Sequence, residues 1–399
     1  MAPFPSKRDK SIVGVDVEAG SIAATEVRAN GRVEVIGQGV APLPTGVFHE
    51  GEVADVEALG DALKELFSTY KLSRNVRFGI ANQRIAVRTV SLPAIEDPEE
   101  LANAIRFQAQ DHIPMPLEQA VLDWEVIGHV TGPNGERQIE VVVVAARRDM
   151  LTGVVAALRH AGLKPEGIDL SAFGMIRALT GAANSVTAAV PPSAPGSYEE
   201  RFGASTEGVA SEVQAAVAAA EARNASADES VVAPPEPATL YCNLGDVLNL
   251  AVAQGSYCRF TRISPFGVEG MAQKLSERRQ LTLEHSRQWL VHVGLATPLE
   301  QIEGDAEIIA AARDTLAEGV AKLVDELRLS LEYYGTQDGS VPVENVIACG
   351  PGTTIPGLVE RLQETVGYPF AIGRPAALGG LDDAAAARLT LSYGLALED

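Results

Sequence analysis

Cysteine, histidine, aromatic residues and positive charge are all scarce in this 399-residue chain. The three cysteines, Cys242, Cys258 and Cys349, fall in predicted strands without metal-ligand spacing. That excludes a disulfide framework or zinc site and leaves them as small reduced apolar residues. The six histidines are scattered singly, except that His285 and His292 lie two turns apart on one predicted helix. Surface or packing roles suit all of them. Lys and Arg total 32 against 53 Asp and Glu, a net charge of −21, which opposes contact with nucleic acid or anionic lipid and points to protein or small-ligand partners. No stretch reaches the ~18 consecutive apolar residues of a membrane helix, and no charged-then-apolar leader opens the chain. A cytoplasmic protein without direct membrane insertion is expected.

What is present begins with a repeat. Residues 11–27 read as a strand, a tight polar turn and a second strand, and residues 239–252 read the same way, turning at Asn243-Leu244-Gly245-Asp246. Either copy alone is an ordinary β-hairpin, but two copies imply internal duplication and one shared phosphate clamp. Backbone N–H groups in a Gly/Ser turn make an anion-binding concavity, and an Asp ending the first strand can hold a hydrated cation against the phosphates. The first copy has Asp16 there, with Gly20 and Ser21 in the turn. The second has Asn243, which brings no charge to a divalent ion, followed by Gly245.

With 46% hydrophobic residues the chain is long enough for two to three domains. A Pro/Lys/Arg-rich tail (1–10) precedes a first lobe (11–83) in which Asp55 caps a helix whose Leu59, Leu63, Leu66 and Phe67 share one face. Residues 84–169 read as an inserted α+β module. Its first helix opens with Asp97-Pro98-Glu99-Glu100, a cap, a first-turn proline and a capping box, and Gly132-Pro133-Asn134-Gly135 suits a hairpin turn. A return helix (170–182) leads to a segment (183–237) rich in Ala, Ser and Pro, read as a disordered linker with a transient helix at 207–223. The second lobe occupies 238–264 and 341–380, interrupted by a helical part (265–340) that ends in a long helix from 306. Its strand at 345–349 enters a glycine turn, Gly350-Pro351-Gly352, facing the same cleft, and a helix in 381–399 closes the chain.

Two duplicated α/β lobes with strand-turn-strand phosphate loops resemble the actin-like ATPase superfamily, a ribonuclease H-like duplicated fold that includes the sugar kinases and FtsA. Ala41-Pro-Leu-Pro-Thr-Gly-Val-Phe, Val87-Arg-Thr-Val-Ser-Leu-Pro, His112-Ile-Pro-Met-Pro-Leu-Glu-Gln and Leu327-Arg-Leu-Ser-Leu-Glu-Tyr-Tyr, in that order, resemble the PilM family of type IV pilus assembly. The resemblance implies an SHS2-like inserted module of the FtsA type. It also implies attachment to the inner face of the cytoplasmic membrane through a PilN-like protein, whose N-terminal peptide lies in a groove between the first lobe and the insert. Motor ATPases and other pilus proteins are implied partners, twitching motility the implied process, and homo-oligomerisation is compatible with the family.

The resemblance further implies ATP and Mg²⁺ as cofactors, with Asp16, Gly20, Ser21, Asn243, Gly245, Gly350 and Gly352 around the phosphates, Asp16 toward the metal, and Glu326 and Arg328 near the adenosine. The chain departs from that pattern. Glu18 stands where the family has glycine, so its carboxylate either repels phosphate or points away from it, while Pro351 lacks a donor and fixes φ. A scaffold with a weakened or lost nucleotide site is the leading reading, with no catalytic residue assigned. A working ATPase or small-molecule kinase needs a base and a firmly held metal. An FtsA-type filament protein needs a basic amphipathic membrane helix, whereas the last residues here are acidic.

Overall fold

The computed structural model describes residues 11–29, 32–131, 135–180, 184–188, 237–337 and 339–397. The N-terminal tail, most of the predicted linker with its helix, and the turn residues 132–134 lie outside the described residues. In the first lobe, β1 (Ser11–Glu18) turns through Ala19 and Gly20 into β2 (Ser21–Ala29), followed by β3 (Val33–Pro42) and a small ribbon, β4 (Phe48–His49) and β5 (Glu52–Val53). Helix α1 (Val56–Tyr70) starts where Asp55 Oδ1 accepts the Ala58 N–H at 3.0 Å, and β6 (Asn75–Ile80) lies parallel to β1.

The insert contributes β7 (Ala86–Pro93), α2 (Pro98–His112), β8 (Ala120–Thr131) and β9 (Arg137–Arg147), a three-stranded antiparallel sheet in the order β7-β9-β8. Asp97 caps α2 through the N–H groups of Glu99 and Glu100. The insert's core is its own, centred on Ile105, Ala109, Val141 and Val143. The module is shorter than residues 84–169, because α3 (Arg148–His160) and β10 (Lys164–Leu170) return to the first lobe. Val154, Ala157 and Leu158 of α3 join the core of Leu59 and Leu63, and β10 pairs in parallel with β6. Strand β10 reads like its neighbours in sequence, and only its hydrogen-bonding partner assigns it to a sheet.

After α4 (Ser171–Leu179) comes a second difference from the sequence reading. Residues assigned to the linker form β11 (Asn184–Ala188), antiparallel to a strand nearly two hundred residues later. Composition favoured disorder there, since the pairing that stabilises the segment is non-local. The second lobe follows with β12 (Ala238–Leu244), β13 (Leu248–Gln254), β14 (Tyr257–Ser264), α5 (Val268–Arg279), α6 (Leu283–Val293), the thirty-residue α7 (Ala306–Gly335), β15 (Val343–Cys349), α8 (Leu358–Val366), β16 (Phe370–Pro375) and α9 (Asp383–Ala396).

The two sheets run β10-β6-β1-β2-β3 and β11-β16-β15-β12-β13-β14. In each, the opening strand pairs antiparallel with its hairpin partner and parallel with a later strand on the other side, β1 with β2 and β6, β12 with β13 and β15. Shared topology carries the duplication beyond the hairpins themselves. Helix α9 lies on β1 and β2 so closely that a Cβ on Gly14 would sit 1.9 Å from the Ser392 carbonyl oxygen. Only glycine tolerates that approach.

Candidate functional site: a filled cleft and an open groove

The position of Asp16 follows from that helix-on-strand contact. Two strand residues advance about 7 Å and four helical residues about 6 Å. With Ser392 over Gly14, Arg388 one turn earlier therefore reaches Asp16. Its Nη1 donates to Asp16 Oδ2 at 2.5 Å, its Nε to Ser21 Oγ at 2.7 Å, and its Nη2 to the carbonyl oxygens of Ser21 and Asp16 at 2.9 and 3.2 Å. Glu18 Oε2 lies 3.4 Å from Nε. A buried guanidinium thus takes up both polar side chains that the first hairpin offered to a phosphate-bound cation.

The second hairpin meets the first across the cleft. Its loop holds three residues between the paired Leu244 and Leu248, against two between Glu18 and Ser21. From that longer loop Asp246 reaches over, and its Oδ2 accepts the Ala19 N–H at 2.9 Å while Oδ1 accepts the Val247 N–H at 2.7 Å. Glu18 packs against the same loop, where a Cβ on Gly245 would lie 2.3 Å from its Oε1. Arg287, held by Glu269 at 2.7 and 2.8 Å, covers the turn from above, where a Cβ on Gly20 would lie 2.5 Å from its Nη2.

Burial is the main influence on the charges. It pushes the Glu18 carboxyl up to about 8, with Asp246 and Asp16 adding to the rise against the pull of Arg388. Burial also raises Asp246 to about 6, against the two backbone N–H groups that favour its charged form. Burial alone would lower Arg388, but Glu18, Asp16 and Asp246 outweigh it and hold the guanidinium above its ordinary range.

Seven of the nine predicted binding residues are assembled here. Besides the first hairpin and Gly245, Asn243 is buried beside Gly350, whose φ of +84° and closeness to Asn243 Oδ1, 2.1 Å from a notional Cβ, both require glycine. Gly352 packs on Leu244. Glu326 and Arg328 face elsewhere: Glu326 pairs with Arg262 at 3.3 Å, and Arg328 donates to the Thr365 carbonyl at 2.5 Å. Arg388 escaped the sequence reading, although one signal was available. It is the one basic residue in α9, a helix whose residues from Ala386 to Ala396 are all buried, and a buried charge must be paired.

The cavity among Asp16, Glu18, Asn243, Asp246 and Asn249 is about 20 Å³, the size of a single water. Small-ligand pockets run to roughly 300–1,000 Å³. Asn249, 1% exposed, finds no partner for its amide there. Among the described residues no group of three His, Cys, Asp or Glu is placed to hold a metal ion. In this arrangement the residues present do not fit a nucleotide with its Mg²⁺.

A second concavity, about 700 Å³, opens between β8 of the insert and β10 of the first lobe. Both are edge strands of their sheets. Val144, Leu151, Ile168 and Phe173 give it an apolar lining, and Ser256, Tyr257 and Cys258 at the tip of the β13–β14 hairpin wall one side. Four carboxylates, Asp123, Glu125, Glu166 and Asp169, line it against two arginines. Arg177 is ion-paired with Asp169, and Arg77 donates to the Leu395 and Leu397 carbonyls that end α9.

Residues 14–197 match the family model described as type IV pilus assembly protein PilM. Over these residues the chain is similar to the PilM family. Among solved structures, the chain resembles one described as the PilM-PilN type IV pilus biogenesis complex, with TM-score 0.70 and 22% identity over 96% of this chain and 97% of that one. That likeness establishes the two-lobed actin-like fold. Ethanolamine utilization protein EutJ from Carboxydothermus hydrogenoformans (TM-score 0.47, 12% identity, 99% and 91% covered) and MreB 5 of Spiroplasma citri bound to AMPPNP (0.49, 11%, 98% and 95%) also match, too distantly to bear on function. No helix among the described residues is long and apolar enough to cross a membrane.

Proposed function

We propose that the chain is a PilM-like scaffold of the type IV pilus inner-membrane assembly complex, holding the cytoplasmic N-terminal peptide of a PilN-like membrane protein in the groove between β8 and β10. The observation that carries this reading is the groove itself: the edge strands of two sheets flank an apolar lining of a size that takes an extended peptide. Main-chain pairing to an edge gives such a peptide affinity, and alternate side chains find the apolar pockets. The carboxylate-rich lining suits the Lys and Arg that flank the cytoplasmic side of membrane spans. The scaffold sits at the inner face of the cytoplasmic membrane through this partner, alongside other pilus proteins including the motor ATPases. Its ATP site is degenerate, a relic of the actin-like ancestor that does not turn over nucleotide.

The test is fluorescence anisotropy with a labelled peptide from the cytoplasmic N-terminus of a PilN-like protein from the same organism. Binding at micromolar strength is expected. Val121 lines the groove and is 38% exposed on β8, so Val121→Lys should fold and bind at least about 10-fold more weakly. Failure of the parent protein to bind, equal binding by the variant, or ATP hydrolysis above background would each count against this function.

A further inference from the structure

The two hairpins face each other with complementary groups already in place. The turn of the first hairpin presents the Ala19 N–H, the kind of turn donor that an anion would take, and the carboxylate of Asp246 takes it at 2.9 Å. Asp16 and Ser21, where a phosphate-bound cation would be held, are taken by Arg388. We infer that the cleft is a self-filled clamp, in which Asp246 occupies the position of the phosphate and Arg388 that of the cation, so that the chain's own side chains hold the two lobes closed without nucleotide.

Three features of the geometry support this. Asp246 and Arg388 engage the same hairpin from different elements, one from the second lobe and one from the helix packed on the first. Both are integral to their elements: Arg388 is placed by the register of α9 on Gly14, and Asp246 by the extra residue in the second loop. The space remaining, about 20 Å³, admits a water and no phosphate. Arg287 reinforces the closure by covering Gly20 from the second lobe. The inference stands independently of whether the groove takes a peptide.

Amide hydrogen exchange of the full chain reads it directly, at the peptide containing Ala19 and Gly20. In the parent protein this segment is expected to be protected, and millimolar ATP with Mg²⁺ is expected to leave its exchange unchanged. In Asp246→Ala the turn loses a charge-assisted hydrogen bond, so exchange there should rise roughly 10- to 100-fold. Formate, a carboxylate small enough to take the space of the removed side chain and accept the freed N–H, should restore protection in this variant and have no effect on the parent. Asp246→Asn keeps the shape without the charge and should give a smaller rise in exchange, which separates loss of the contact from a failure to fold. Slowing of exchange by ATP and Mg²⁺ in the parent protein would overturn the inference, as would parent-level protection in Asp246→Ala.

Discussion

The two concavities of this protein use polar groups in opposite ways. In the cleft between the hairpins, Asp16, Glu18, Ser21 and the Ala19 N–H are all engaged by Arg388 and Asp246, and about 20 Å³ remains. In the groove beside the insert, the edge strands of two sheets flank a concavity of about 700 Å³. The inherited position of a site and its present capacity are therefore separate properties. A cleft can keep its topology while its donors and acceptors satisfy one another, whereas an insertion adds new sheet edges and with them new binding capacity.

The contrast breaks most readily at Arg388. Arg388→Met leaves the Asp16 carboxylate buried with no counter-charge, a change of the kind that costs about 3–5 kcal/mol. Denaturant unfolding should show a loss of that size, and a loss below about 1 kcal/mol would mean that the network does not hold the cleft.

The pH dependence is next in size. Glu18 titrates near 8 in the folded chain against 4.5 when unfolded, so between those values the folded state binds the extra proton and stability falls as pH rises. Asp246, raised only to about 6, contributes mainly below pH 6. The melting temperature should therefore drop by several degrees from pH 6 to 8.5. Glu18→Gln, which removes the titrating group, should flatten this slope; an unchanged slope in the variant would place its origin elsewhere.

The smallest effect sharpens the comparison from the other side. Glu326 and Arg328 make partly exposed contacts away from the cleft. Alanine at either should shift stability by no more than about 1 kcal/mol and leave the exchange of the Ala19 segment unchanged. Faster exchange there would connect the long helix to the cleft after all.

Much of the fold was legible in the sequence because it depends on local patterns. The spacing of Leu59, Leu63 and Leu66 marks α1, Asp55 and Asp97 mark helix starts, and the apolar run from Val141 to Ala146 marks a buried strand. The echo of 11–27 in 239–252 also pointed to duplicated lobes. Strand β11 and the true end of the insert were not legible, since each depends on which distant strand supplies the partner. Seven of the nine candidate site residues lie together in the cleft, but Arg388, which engages Asp16 and Ser21, comes from the far end of the chain.

By itself the sequence determined the elements, the duplication, the acidic balance and the departures from a phosphate loop at Glu18, Asn243 and Pro351, because each is written in neighbouring residues. Only the tertiary structure decided what those departures amount to. Arg388 lies 372 residues from Asp16 and Asp246 lies 227 from Ala19, and a charge so far along the chain becomes a partner only through the packing of α9 on β1 and of one lobe on the other.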